Sequence, residues 1–135
     1  MNIVFLCLAN SVRSQMAEGL ARKILGKKVQ IQSAGAVASR VHPIAIQIMS
    51  EIEIDISGQH SKSLAGVDFS EVDFAITLCA DDVCPPVSSR TQCLRWVIPE
   101  PICAGEAEIQ LASFRKIRDL LEEKIQLFHN SIYLI

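Results

Sequence analysis

The sequence is poor in aromatic residues and carries no excess of positive charge. Phe, Trp and Tyr make up 5% of its 135 residues, and 13 Lys and Arg against 15 Asp and Glu give a formal net charge of −2. A domain that binds nucleic acid needs a basic surface, and one that binds single strands also needs aromatic side chains for stacking. The composition therefore argues against a nucleic-acid partner.

Long apolar runs are also missing. A helix that crosses a bilayer needs about 20 consecutive apolar residues, and the apolar stretch at residues 3–6 is far shorter. No basic segment precedes this stretch, so we interpret it as a first strand and not as a secretion signal. We expect no contact with a membrane.

Cysteine is present but does not follow a disulfide pattern. The chain has five cysteines, an odd number, at positions 7, 79, 84, 93 and 103. Small secreted domains carry even sets that form a disulfide framework. We therefore expect a reducing, cytoplasmic environment, in which a cysteine is a core residue, a metal ligand or a reactive thiol.

Strand-like and helix-like segments alternate along the chain. Half of the residues are apolar, which is enough for one core, so we predict a single domain over residues 1–135. Apolar patterns predict strands at 2–8, 28–33, 73–78 and 93–97, and helices at 13–25, 43–52 and 106–130. Ser11 is the predicted cap of the first helix and Gly26 its predicted end. This order predicts an α/β fold, a doubly wound parallel sheet of about four strands with helices on both faces.

A thiol and a guanidinium flank the loop between the first predicted strand and the first predicted helix. Residues 7–14 read Cys-Leu-Ala-Asn-Ser-Val-Arg-Ser. Backbone N–H groups at a helix N-terminus favour a bound anion, and Arg13 can bind two oxygens of a tetrahedral oxyanion. The same groups, with the Ser14 hydroxyl, favour the nucleophilic thiolate of Cys7. The predicted oxyanion-binding residues, called the anion loop below, are Leu8, Ala9, Asn10, Ser11, Val12 and Arg13.

The spacing of Cys7 and Arg13 is weak evidence by itself. A chain with several Cys and several Arg contains such a pair readily by chance. In the alternative interpretation, Cys7 is an apolar core residue and Arg13 is a solvated residue of the first helical turn. The position between a strand and a helix favours the nucleophile, but it does not distinguish phosphate from arsenate.

Cys79 and Cys84 add a second kind of chemistry. Cys79 follows the third predicted strand as Cys7 follows the first, and the carboxyl ends of parallel strands meet at one edge of the sheet. Cys84 comes five residues later, before Pro85 and Pro86. A phosphatase does not need such a pair, whereas a reductase needs the two electrons that a dithiol provides when it closes to a disulfide.

Two further sites are conceivable from the sequence. Glu100 lies between Pro99 and Pro101, where it is either a general acid held in a stiff loop or a solvated charge. A zinc site built from the four cysteines after Cys7 does not fit the short paired spacings of structural zinc. We therefore predict no metal site.

Several motifs together resemble the thioredoxin-coupled arsenate reductases, which share the fold of the low-molecular-weight protein tyrosine phosphatases. The motifs are Cys-Leu-Ala-Asn-Ser-Val-Arg-Ser-Gln-Met-Ala-Glu-Gly at 7–19, Ser-Ala-Gly at 33–35, Ile-Asp-Ile-Ser at 54–57 and Thr-Leu-Cys at 77–79. The resemblance implies that Cys7 attacks the arsenic of arsenate while Arg13 and the loop amides hold it. It also implies that Cys79 attacks Cys7, that Cys84 attacks Cys79, and that thioredoxin reduces the final disulfide.

The sequence departs from this family at several positions. Glu100-Pro101 stands where the family acid is usually Asp in an Asp-Pro pair, Val12 replaces a common cysteine, and the interval from Cys79 to Cys84 is short. Some members bind potassium with residues that match Asn10, Glu18 and Ser33 and with a carboxylate at the position of Lys62. Since an ammonium can replace the cation, we predict that activity does not depend on potassium.

The resemblance implies an enzyme of arsenical resistance with no tightly bound cofactor and with thioredoxin or glutaredoxin as its external reductant. Phosphate or sulfate can also occupy such a site, and we expect a monomer. Two alternatives stay open. The first is a phosphatase of the same fold, although Gln15 stands where those enzymes usually have Pro. The second is a non-catalytic protein that binds oxyanions or senses redox state.

Overall fold

A four-stranded parallel sheet lies at the centre of the computed structural model, which describes residues 1–79 and 89–132. Its strands lie in the order β2-β1-β3-β4, and every neighbouring pair is parallel. They are β1 (Asn2–Cys7), β2 (Gln30–Gly35), β3 (Phe74–Thr77) and β4 (Gln92–Arg95). The predicted α/β fold and strand count are confirmed.

Helical segments cover both faces of the sheet. Ile3, Phe5 and Cys7 of β1 belong to a core that also contains apolar residues of the three α-helices, α1 (Arg13–Leu25), α2 (Pro43–Ser50) and α3 (Ala107–Ile132). Val4 and Leu6 point the other way and pack against the short 3-10 helices Leu64–Gly66 and Phe69–Glu71. A strand buried on both faces is apolar throughout, which is why β1 reads as one uninterrupted run. None of the described helices is long and apolar enough to cross a membrane.

The start of α1 differs from the prediction in a way that matters for the site. Ser11 was the predicted cap, but the capping residue is Val12, and its side chain makes no capping hydrogen bond. The first backbone N–H groups of α1 are therefore not used by a side-chain cap, and the Ser14 N–H faces the Cys7 sulfur instead. Ser11 contributes its carbonyl oxygen, which accepts a hydrogen bond from the His42 N–H at the start of α2.

The limits of several other elements differ from the prediction, and those of β2 and β4 are set by the strands with which they pair. The strand predicted at 28–33 is β2 at Gln30–Gly35, in register with β1 from Asn2↔Gln30 to Cys7↔Gly35. β4 lies slightly before its predicted position for the same reason, since it pairs with β3. α2 ends two residues early, before Glu53 with a φ of 63°, and α3 extends two residues beyond its predicted end.

Gly35 brings the end of β2 against the backbone of the anion loop. A Cβ atom at this position would lie 2.6 Å from the Asn10 nitrogen, 2.8 Å from the Leu8 oxygen and 2.9 Å from the Cys7 oxygen. These are backbone atoms, which cannot rotate away as a flexible side chain can. Any larger residue at position 35 must therefore displace the loop.

We expect Gly35→Ala to lower the free energy of unfolding by about 2 kcal/mol or more, because the added methyl group has no space. Urea unfolding followed by the fluorescence of Trp96 measures this change. Gly66→Ala is the matched control, since a Cβ there meets nothing within 4 Å. Equal unfolding midpoints for the two variants would contradict the argument.

Candidate active site

The Cys7 sulfur lies at the end of β1 among several hydrogen-bond donors. Its Sγ is 2.8 Å from the Ser14 Oγ. Asn10 donates its own side-chain N–H to that Ser14 oxygen, so the Ser14 hydroxyl proton is directed toward the sulfur. The backbone N–H groups of Ser14 and Asn10 also face the sulfur. This arrangement stabilises a thiolate.

The second thiol of the site, Cys79, is hydrogen-bonded to Cys7. This bond is the largest cause that lowers the pKa of Cys7 to about 6, ahead of the Ser14 and Asn10 donors and against the opposing effect of burial. The same bond, followed by burial and by the Cys7 charge, raises the pKa of Cys79. At neutral pH, therefore, Cys7 is a thiolate and Cys79 holds a proton that it donates to Cys7.

Asn10 holds the anion loop in a strained backbone conformation. Its φ of 49° is in the left-handed region, which Asn tolerates better than most residues. The side-chain N–H group donates to Ser14 Oγ at 2.8 Å and to Ser33 Oγ at 2.9 Å, and the side-chain oxygen accepts from the Lys62 N–H at 2.7 Å. Asn10 is fully buried. Its side chain therefore supports the loop from below, while its backbone N–H faces Cys7.

Gln15 links the loop to residues 59–62. The Gln15 side-chain N–H group donates to the Asn10 side-chain oxygen at 2.8 Å and to the His60 carbonyl at 3.0 Å. Its side-chain oxygen accepts from Gln59 at 2.7 Å. A proline at this position would have no amide to make these bonds, so the identity of residue 15 decides how the loop is supported. Sequence reasoning identified Gln15 by comparison but missed its partner Gln59, which is 44 residues away.

Glu18 is a buried carboxylate with two cationic neighbours. Its Oε1 accepts from Ser33 Oγ at 2.6 Å and lies 3.5 Å from the Lys62 Nζ, while its Oε2 lies 2.8 Å from Arg22. A buried carboxylate needs such compensation. Asn10, Glu18 and Ser33, which match potassium-binding residues of some family members, thus lie together, with the Lys62 ammonium beside Glu18.

Arg13 and Glu100 lie side by side in the lining of a cavity of about 400 Å³, which Cys7 also lines. One Arg13 N–H donates to the Ile98 carbonyl at 2.9 Å, and the other terminal nitrogen lies 3.5 Å from the Glu100 carboxylate. The remaining lining comes from Cys7, Leu8, Ala9, Ser11, Val12, Pro101, Cys103 and Ala104. Glu100 is therefore part of the site and not a remote surface charge.

The structure brings together most of the predicted site residues. Cys7, Arg13, Ser14, Cys79 and Glu100 all lie around one end of β1 and β3. Cys84 lies outside the described residues. Within residues 1–79 and 89–132, no group of three or more His, Cys, Asp or Glu side chains is placed to hold a metal ion.

Comparison with known proteins identifies the family. The family model of the low molecular weight phosphotyrosine protein phosphatases matches residues 2–133. The chain belongs to this family. Within the family, its similarity is to arsenate reductases. One from Halalkalibacterium halodurans is 42% identical over 129 residues, which cover 93% of each chain.

Solved structures of arsenate reductases have the same fold as this family member. A structure described as an arsenate reductase in the phosphate binding state superposes with a TM-score of 0.83 at 33% identity, covering 97% of this chain and 98% of that one. A thioredoxin-dependent arsenate reductase of Corynebacterium glutamicum superposes with a TM-score of 0.77 at 32% identity, covering 98% of this chain and 62% of that one. The resemblance drawn from the sequence motifs is confirmed.

We expect alkylation of Cys7 by iodoacetamide to rise with pH through a midpoint near 6, where the pKa of this thiol lies. Ser14→Ala removes a donor to the thiolate and should raise the midpoint by about one pH unit. Mass spectrometry of the Cys7 peptide measures the rate. Ser70→Ala, in a 3-10 helix on the opposite face, is the control and should leave the midpoint in place. A Ser14→Ala midpoint equal to that of the wild type would contradict the assignment.

We also expect potassium to give no more thermal stability than sodium at equal ionic strength. The Lys62 ammonium already lies beside Glu18, and a cation stabilises a fold only by binding to it. Thermal unfolding in the two chloride salts measures the difference. A higher melting temperature in potassium would mean that the carboxylate still binds the metal ion.

Proposed function

We propose that this chain is an arsenate reductase that converts arsenate to arsenite through a relay of cysteine thiols. The observation that carries the proposal is the hydrogen bond between the Cys7 thiolate and the Cys79 thiol, beside Arg13. A hydrolase that forms a phosphocysteine has no use for a second thiol in contact with the first. A reductase does use a second thiol, because two thiols together supply two electrons.

In the first step, the Cys7 thiolate attacks the arsenic of arsenate bound to Arg13 and the anion-loop amides. A sulfur–arsenic bond forms and one arsenic–oxygen bond breaks. The departing hydroxide takes a proton and leaves as water. We assign this general-acid role to Glu100, which lines the same cavity.

In the second step, Cys79 attacks the Cys7 sulfur, a Cys7–Cys79 disulfide forms, and the thiol proton of Cys79 goes to the leaving arsenite. The sulfur–arsenic bond breaks and its electron pair stays on arsenic, which leaves as arsenite and is reduced from the +5 to the +3 state. Once the Cys7 charge has been used in the first step, two causes that raise the pKa of Cys79 are gone, namely its hydrogen bond to the thiolate and the Cys7 charge, while burial still raises it and Arg13 still lowers it. Cys79 is therefore a better nucleophile after Cys7 has reacted than before.

In the third step, Cys84 attacks Cys79, so that the disulfide moves to Cys79–Cys84. Thioredoxin reduces this disulfide, with glutaredoxin as the alternative reductant. The thioredoxin-dependent reductase of Corynebacterium glutamicum supports the first choice. No tightly bound cofactor is needed in this scheme, and it requires the reducing conditions of the cytoplasm.

A phosphatase is the second candidate. The loop and Arg13 suit phosphate as well as arsenate, and one of the superposed arsenate reductases is described in a phosphate binding state. The support of the loop by Gln15 and the contact of Cys79 with Cys7 favour the reductase.

The purified chain with thioredoxin, thioredoxin reductase and NADPH should oxidise NADPH when arsenate is added. Cys7→Ser should abolish this activity, since it removes the first nucleophile. Cys84→Ser should allow a single turnover and trap a Cys7–Cys79 disulfide, which mass spectrometry detects. Hydrolysis of an aryl phosphate without arsenate-dependent NADPH oxidation would favour the phosphatase instead. Continuous cycling of Cys84→Ser would refute its place in the relay.

A further inference from the structure

The cavity above Cys7 holds more negative than positive charge before any ligand enters. Its charged groups are the Cys7 thiolate, the Glu100 carboxylate and the Arg13 guanidinium. Arg13 is almost buried, with 10% of its side chain exposed, and one of its nitrogens already donates to the Ile98 carbonyl. Its other terminal nitrogen is 3.5 Å from Glu100. An oxyanion that binds this terminal nitrogen therefore lies next to the carboxylate.

The position of Glu100 over the cavity is maintained by the segment before it. The Ile98 N–H donates to the Leu78 carbonyl at 3.0 Å, and the Ile98 carbonyl accepts from Arg13. Pro99 and Pro101 then restrict the backbone on both sides of Glu100. The carboxylate cannot leave the cavity without breaking these backbone contacts or rotating its side chain into solvent.

The other ionisable groups near Glu100 do not neutralise it. Cys103 lines the same cavity, and burial followed by the Glu100 charge raises the pKa of its thiol, so it stays uncharged. On the far side of Glu100, a groove along α3 contains one acidic and one basic residue, Glu108 and Lys116. Among the residues that the structure describes around this cavity, Arg13 is therefore the cation that the carboxylate and a bound oxyanion share.

A carboxylate and a fully ionised oxyanion repel each other at this distance. An ionised carboxylate only accepts hydrogen bonds, so an oxygen that faces it must carry a proton. Arsenate and phosphate carry such a proton near neutral pH, in the dianion as well as in the monoanion. Sulfate is fully ionised and carries none.

We propose that Glu100 selects protonated tetrahedral oxyanions by accepting a hydrogen bond from the oxyanion's own hydroxyl group, and that it discriminates against sulfate. Arsenate as the substrate rests on the function proposed above, but the selection itself concerns binding alone. It adds a specificity-determining role to the general-acid role that is proposed above for Glu100.

The selection also accounts for the proton that the first reaction step needs. The arsenate monoanion beside an ionised Glu100 has the same number of protons as the arsenate dianion beside a protonated Glu100. A shift of that one proton converts the carboxylate into the acid. Glu100 then returns the proton to the departing hydroxide, which leaves as water. Sulfate brings no proton and cannot prepare the acid in this way.

The expected discrimination is moderate because Glu100 is 75% exposed. A fully buried site that needs a substrate hydroxyl rejects an analogue without it by a factor of about 10⁴ or more. Solvent screens an exposed carboxylate, so we expect about a tenfold preference for phosphate over sulfate.

Protection of Cys7 from iodoacetamide by inorganic phosphate and by sulfate at pH 7 measures both affinities. In the wild type, phosphate should protect at lower concentration than sulfate. Glu100→Gln should close most of this gap, chiefly because sulfate binds more tightly once the carboxylate is gone. Because the Glu100 side chain is largely exposed, we expect Glu100→Gln to fold like the wild type. Circular dichroism checks this.

Glu106→Gln is the matched control, since it removes the same charge from an exposed residue that does not line the cavity. It should keep the wild-type preference for phosphate. Equal affinities in the wild type, an unchanged preference in Glu100→Gln, or an equal change in both variants would each overturn the selection. Failure of both anions to protect Cys7 would overturn the oxyanion site and the proposed function with it. Arsenate-dependent NADPH oxidation tests the reductase independently of the selection.

Discussion

The negative charge on the buried Cys7 sulfur is the constraint around which the rest of the site is arranged. A thiolate at the end of a buried strand is unfavourable unless donors surround it. Ser14 provides a donor from the start of α1, Asn10 from the loop, and Cys79 from the segment just after β3. The parallel register of β1 with β3 is what brings the Cys79 donor into place. The sheet topology and the chemistry of the thiol are thus directly connected.

A second layer of hydrogen bonds keeps the anion loop in its strained conformation. Asn10 occupies a left-handed conformation that costs free energy unless its neighbours enforce it. The bonds from Asn10 to Ser14 and Ser33, and those from Gln15 and Lys62 to Asn10, provide that enforcement. The side chains that make these bonds lie behind the loop, yet the direction of the loop amides depends on them.

Sequence patterns predicted a helix or strand well where the residues that set its limits lie within or next to that element. α1 has its predicted limits because the apolar spacing after Arg13 is helical and Gly26, with a φ of 80°, ends the helix. The predicted cap of α1 was wrong. Serine is a residue type that caps helices well, but the loop before α1 places Val12, and not Ser11, at the capping position. The limits of β2 and β4 depended on their partner strands, which local periodicity does not contain.

The sequence predicted the reactive groups of the site but not the hydrogen bonds that hold them in place. Cys7, Arg13 and Ser14 follow from one short motif, and the meeting of Cys7 with Cys79 follows from the ends of parallel strands. The bond of Gln15 to Gln59 joins residues that only the folded chain brings together. Glu100 remained ambiguous because a carboxylate between two prolines has the same sequence whether it faces solvent or a cavity.

The hydrogen bond from Arg13 to the Ile98 carbonyl uses one edge of the guanidinium for a structural contact. The guanidinium is divided between two tasks, since one edge supports the backbone that presents Glu100 and the other edge is available to a ligand. A lysine at this position would conserve the positive charge. Its single ammonium group could not contact the Ile98 carbonyl and a bound oxyanion with the same geometry. The planar shape of the side chain, and not its charge alone, therefore couples anion binding to the shape of the loop that contains Glu100.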